Sequence, residues 1–103
     1  MHETQQTISD WVIATFGYPK IPEIIIIRMI KECHELENKL RSGPGQKGYE
    51  EYADERADIV ICAYHAMTTL GYNLHSCVDH KMQINRARKW KLNGDGTGQH
   101  IKD

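Results

Sequence analysis

The chain has 103 residues, 40% of them hydrophobic and 26% charged, and a formal net charge of −1. This is enough for one small domain spanning 1–103 with a modest core, and it excludes the global basic field that would hold nucleic acid. Three cysteines (Cys33, Cys62, Cys77), no Cys-x-x-Cys and a polar start without a leader pattern point to the cytoplasm. The longest apolar run, Ile24 to Ile27, is too short to span a bilayer, so no membrane partner is expected.

Thr7 to Phe16 reads as a short first helix, with Thr7 or Ser9 as its cap, Asp10 in its first turn and Gly17 ending it. Trp11 and Phe16 read first as packing residues. Tyr18 to Pro22 is a connector, because each proline biases its predecessor away from helix.

The spacing predicts a second helix from Pro22 to Arg41. Ile24, Ile25, Ile26 and Ile27 taken alone suggest a strand. Met29, Ile30, Cys33, Leu36 and Leu40 continue a helical period, which favours helix, and the run covers more than one face, as in a helix buried between others.

Ser42-Gly-Pro-Gly-Gln-Lys-Gly48 is the clearest breaker, and two helices joined by it are expected to lie antiparallel. The third helix runs from Tyr49 to Leu70, with Gly71 as its C-terminal cap. Asn73 caps a fourth helix from Leu74 to Trp90. Residues 92–103 are glycine-rich and read as an irregular tail. The fold class is therefore all-α: a short helix and three longer ones in a four-helix bundle, with oligomerisation to a homodimer or homotetramer supporting so small a core.

The chemistry centres on the third helix. Its face of Tyr52, Glu55, Asp58, Ile59, Cys62, Ala66 and Leu70 sets two carboxylates in an apolar stripe, which is costly unless they are paired or bind a cation. Glu32 and Glu35 on the second helix have the same i, i+3 spacing, so four carboxylates can converge between antiparallel helices. An all-oxygen set suits a hard cation, Mg2+ with Mn2+ able to substitute. Ordinary pairs, Arg28 with Glu32 and Lys39 with Glu35, explain the second-helix acids about as well. They explain Glu55 and Asp58 much less well. Glu51 is either a further ligand or a solvated first-turn acid. On the fourth helix Lys81, Asn85 and Arg88 share one side, where they would balance charge or hold phosphate.

Other constellations are weaker. Cys62-x-x-His65 with Cys77-x-x-His80 offers zinc ligands, but such residues inside helices are more often small apolar packing. Glu-x-x-His, needed for a di-iron bundle, does not occur. Asn93 to Gly98 lacks the later glutamate of a calcium loop. It reads instead as a segment able to fold over a ligand with His100. His2, His34, His65, His75 and His80 have no evident partners and receive no role.

Glu32-x-x-Glu35, Glu55-x-x-Asp58 and Lys81-x-x-x-Asn85, in that order, resemble the MazG-like all-α nucleoside triphosphate pyrophosphatases. Asp10-Trp11, Thr15-Phe16-Gly17 and Asn85-Arg-Ala-Arg-Lys-Trp90 look most like the dATP/dGTP pyrophosphohydrolase branch. The resemblance implies a Mg2+-dependent hydrolase cleaving a (d)NTP between its α and β phosphates, giving (d)NMP and pyrophosphate. It also implies Glu32, Glu35, Glu55 and Asp58 as metal ligands and Lys81 and Asn85 as phosphate contacts. Glu35 is the candidate base, with Glu55 beside it in the catalytic set, and Arg88 and Trp11 are added as substrate contacts, Trp11 by stacking on a base. A partner chain is a further source of contacts through Arg86 or Arg88. Many relatives carry a glutamate where this chain has Lys31, which leaves the number of metals open. A dUTP or modified-nucleotide pyrophosphatase and a non-catalytic helical oligomerisation module are the alternatives.

Overall fold

The computed structural model describes residues 2–43, 45 and 48–102. Four helices run in chain order, α1 (Gln5–Phe16), α2 (Glu23–Ser42), α3 (Glu50–Thr69) and α4 (Leu74–Ala87), followed by strands β1 (Trp90–Leu92) and β2 (Gly98–His100). α3 is the hub: α1, α2 and α4 all pack on it. Lys39 lies beside Tyr52 and Glu55, while Arg28 and Glu32 lie beside Asp58 and Cys62, so α2 and α3 are antiparallel as expected.

The helix ends follow local chemistry. Thr4, not Thr7 or Ser9, caps α1. Its hydroxyl accepts from the Thr7 amide at 3.1 Å while Thr7 Oγ1 accepts from the Thr4 amide at 2.8 Å. Ser9 is buried instead, its hydroxyl 2.7 Å from that of Thr68. Gln5 fastens the start of α1 to the α3–α4 turn, its amide donating to Tyr72 O and accepting from the Leu74 N–H. At the end of α3, Gly71 takes φ +78, and the Gly71 and Tyr72 amides donate to Thr68 O and Met67 O. This double closure satisfies the last carbonyls and needs a residue without Cβ at the left-handed position.

Two expectations fail at the C-terminal end. α4 stops at Ala87 because Arg88 turns extended and the Trp90 indole N–H folds back onto Asn85 O at 2.9 Å, capping a last-turn carbonyl. The tail is not irregular: Trp90–Leu92 pairs antiparallel with Gly98–His100. Asn93 and Thr97 close the turn, with Asp95 Oδ1 accepting from the Thr97 amide at 3.0 Å.

A third expectation fails in α2. It is a helix, but within one chain only Ile25 of the isoleucine run is buried, with Ile24, Ile26 and Ile27 each 47–61% exposed. α2 packs on α3 along one side, and no described element covers its other faces. The chain is correspondingly open. Its radius of gyration is 16.5 Å, against about 13 Å for a compact domain of this length. No helix among the described residues is long and apolar enough to cross a membrane.

Candidate metal centre

On the α2–α3 seam, Glu32, Glu35 and Glu55 each bring one carboxylate oxygen to within 4.8 Å of the others. Helical spacing sets Glu32 and Glu35 on one face of α2, and the antiparallel packing brings Glu55 against them. Among the described residues no other grouping of three or more His, Cys, Asp or Glu comes this close, so the Cys62, His65, Cys77 and His80 set does not assemble.

The three acids differ in their surroundings. Glu32 is buried, 6% exposed, and takes Arg28 Nη2 at 2.9 Å. Burial, followed by the charge of Glu35, raises its carboxyl above the ordinary 4.5 despite Arg28. Glu35 is exposed, and Lys39 does not pair with it as the i, i+4 spacing suggests. Lys39 crosses the seam instead, its Nζ 2.8 Å from Glu55 Oε1, and that hydrogen bond holds the ammonium above its usual 10.5. The other oxygen, Glu55 Oε2, is buried without a hydrogen-bond partner. Leaving such an acceptor unpaired costs about 1–3 kcal/mol, and more when it is charged. Three converging carboxylates, one with an unmatched buried oxygen, fit a hard divalent cation.

Asp58 stands outside this trio. With Glu32 it lines an adjoining cavity of about 580 Å³, within the roughly 300–1,000 Å³ range of small-molecule sites. The far wall is aromatic: Trp11, Phe16 and Tyr18. Trp11 and Phe16 meet edge to face at 5.7 Å but are 59% and 73% exposed, so they are cavity wall rather than packing residues. Trp90, by contrast, faces His100 in the hairpin, with ring centroids 5.9 Å apart.

His65, which has no role in the sequence pattern, also lines the cavity. Its Nε2 is buried without a partner, and burial lowers its pKa below 6.5, favouring neutral imidazole. Its signal was available: Asp58, Cys62 and His65 follow one another at steps of four and three, one face of α3. Burial likewise raises the Cys62 thiol, with the charge of Glu32 adding to it.

Lys81 is exposed, Asn85 and Arg88 are half-buried, and none of the three lines this cavity. Their helix packs on α3. Glu51 is not part of the trio; its Oε2 accepts the Gly45 amide at 3.2 Å. A Cβ on Gly45 would sit 2.7 Å from that carboxylate, so any side chain there would push the end of Glu51 aside.

No protein-family model matches the chain, and no curated protein does. Among solved structures it is similar to the cyanophage S-2L MazG-like pyrophosphohydrolase bound to dGDP and three catalytic Mn2+ ions per active site. The two are 26% identical with a TM-score of 0.71, over 95% of this chain and 93% of that one. With its all-α architecture matched along nearly the whole length, the chain has the fold of that MazG-like protein, which supports the resemblance read from its acidic motifs.

Proposed function

We propose that this chain is a divalent-cation-dependent nucleotide pyrophosphohydrolase, a single MazG-like domain acting on cytoplasmic nucleotides. The observation that carries this reading is the Glu32–Glu35–Glu55 convergence, with its unpartnered Glu55 oxygen, beside an aromatic-walled cavity. The substrate is a (d)NTP, in the finer reading a purine dNTP (dGTP or dATP), cleaved between its α and β phosphates to the monophosphate and pyrophosphate.

Glu32, Glu35 and Glu55 would hold Mg2+ or Mn2+, with Asp58 reaching a cation or the substrate from the cavity side. The bound cation supplies neutralisation of phosphate charge and Lewis acidity toward the attacking water. Glu35, the exposed member of the trio, is the group free to accept a proton from that water. Trp11 offers an exposed aromatic face on the cavity wall for stacking on the base.

Lys81, Asn85 and Arg88 are the phosphate contacts in this reading. Because they do not line the cavity of their own chain, the reading includes a homo-oligomer in which α4 of one copy serves its neighbour. The exposed isoleucines of α2 and the open shape of the chain support self-association.

The test is a panel of NTPs and dNTPs incubated with Mg2+ or Mn2+ and resolved by product. Monophosphate with pyrophosphate is the expected pair. Absence of both, or an unchanged rate in Glu55→Gln, overturns the reading.

A further inference from the structure

Lys39 is the only cation in ion-pair contact with Glu55 among the described residues. It lies one helical turn beyond Glu35, yet its Nζ reaches across the seam to Glu55 Oε1 at 2.8 Å. Its backbone is fixed there, since the buried Tyr52 donates its hydroxyl to Lys39 O at 3.4 Å. The charges of Glu51 and Glu35 also act on the ammonium. The side chain itself is 41% exposed, so its head can withdraw into water without unpacking the seam.

The charge balance makes this contact more than a surface pair. Glu32, Glu35 and Glu55 carry three negative charges at one point, and Arg28 and Lys39 offset two of them. Arg28 approaches Glu32 from within α2, one turn away on the same helix. Lys39 instead joins the two helices, on the carboxylate whose second oxygen is unmatched. A divalent cation held by the trio would share Glu55 with an ammonium ion at close range, and like charges that near repel strongly at the edge of a protein interior.

Building on the proposed metal centre, we propose that Lys39 is its resident counter-cation. It clamps Glu55 while no divalent ion is bound, releases Oε1 when one enters, and so sets the affinity of the site. The pair closes the seam in the metal-free chain and opens to solvent in the loaded one. No bond is made or broken beyond the exchange of one cation for another on the carboxylate.

The experiment uses the full chain, stripped with chelator and titrated with Mn2+, with free Mn2+ read from its electron paramagnetic resonance signal. Lys39→Met keeps the apolar stem and removes the charge. It is expected to bind Mn2+ about tenfold tighter than wild type, to melt lower without metal, and to show a larger Mn2+-induced rise in Tm. Lys39→Arg, which keeps the charge, is expected to stay near wild-type affinity. Lys39→Gln is the second neutral variant, used if Lys39→Met does not fold.

Wild type binding Mn2+ with the neutral variant binding equally or more weakly would overturn the counter-cation role and leave the metal centre standing. Wild type binding no Mn2+ would overturn both.

Discussion

Glu32 and Glu55 reach the same point from two antiparallel helices, and each is held by a different cation: Arg28 at 2.9 Å on the first, Lys39 at 2.8 Å on the second. The first pair lies within one helix and the second ties two helices together. The two acids therefore respond differently to substitution, to pH and to metal.

Replacing Glu55 removes the carboxylate with the unmatched oxygen. Mg2+ or Mn2+ should raise the Tm of the wild type, and Glu55→Gln should abolish that rise and lower hydrolysis by at least about 100-fold. Far-UV circular dichroism of the metal-free variant should be unchanged. Differential scanning fluorimetry with and without the ions checks the first outcome.

Glu32 gives the metal-free chain a pH dependence of definite sign. Its folded pKa is raised above 4.5 by burial and by Glu35, so its contribution to stability is fully present below about pH 4.5. That contribution is lost as pH rises through the raised folded value. Saturating Mn2+ should remove the loss above that range, because the cation favours the ionised form. Urea melts across this window, for wild type and Glu32→Gln, check it; the variant should lack this component in both conditions.

His65 works in the opposite direction. Its folded pKa is lowered by burial, so the stability it contributes is present above about pH 6.5 and lost as pH falls through the depressed folded value. His65→Gln should flatten this acid-side decline. Chemical denaturation from pH 7.5 downward separates the two proteins.

Trp11 is 59% exposed on the cavity wall, so its proposed binding role can be tested apart from stability. Trp11→Ala should leave Tm within a few degrees. If a base stacks there, losing about 1–3 kcal/mol should raise KM by roughly five- to 150-fold with a smaller effect on kcat. Steady-state kinetics on dGTP and dATP make the measurement.

The outer face of α2 carries Ile27 and Ile30 at 61% and 52% exposure. Two glutamates there should block the self-association proposed for this face. Light scattering on wild type should give a dimer or tetramer, and Ile27→Glu/Ile30→Glu a monomer of the same helical content.

The helices were legible because their signals are local and redundant. Helical spacing from Met29 to Leu40 outweighed the strand preference of the isoleucine run, and the glycines at 17, 43 and 71 stop the helices where positive φ is required. The sequence does not single out Thr4 as the cap, because Thr4, Thr7 and Ser9 offer the same oxygen chemistry within six residues. The hairpin was missed because its two strands are three residues each, too short for alternation to register. Trp90 ends α4 through a contact made after the chain has turned back, which no helical pattern contains.

The site divides in the same way. The i, i+3 acid pairs follow from helix geometry alone. Which of them converge, and that Lys39 prefers Glu55 to Glu35, depends on the register of α2 against α3. That register is set by packing across the seam, a long-range property. The face that His65 shares with Asp58 and Cys62 is legible in the sequence, but the cavity it lines forms only where α1 and α2 pack against that face.

The most direct test of the central claim is product-resolved hydrolysis of dGTP with Mn2+, run on wild type and Glu55→Gln side by side. The predicted result is dGMP and pyrophosphate from wild type, with the variant reduced at least about 100-fold. No turnover by wild type, release of dGDP and phosphate instead, or equal rates from the two proteins would contradict it.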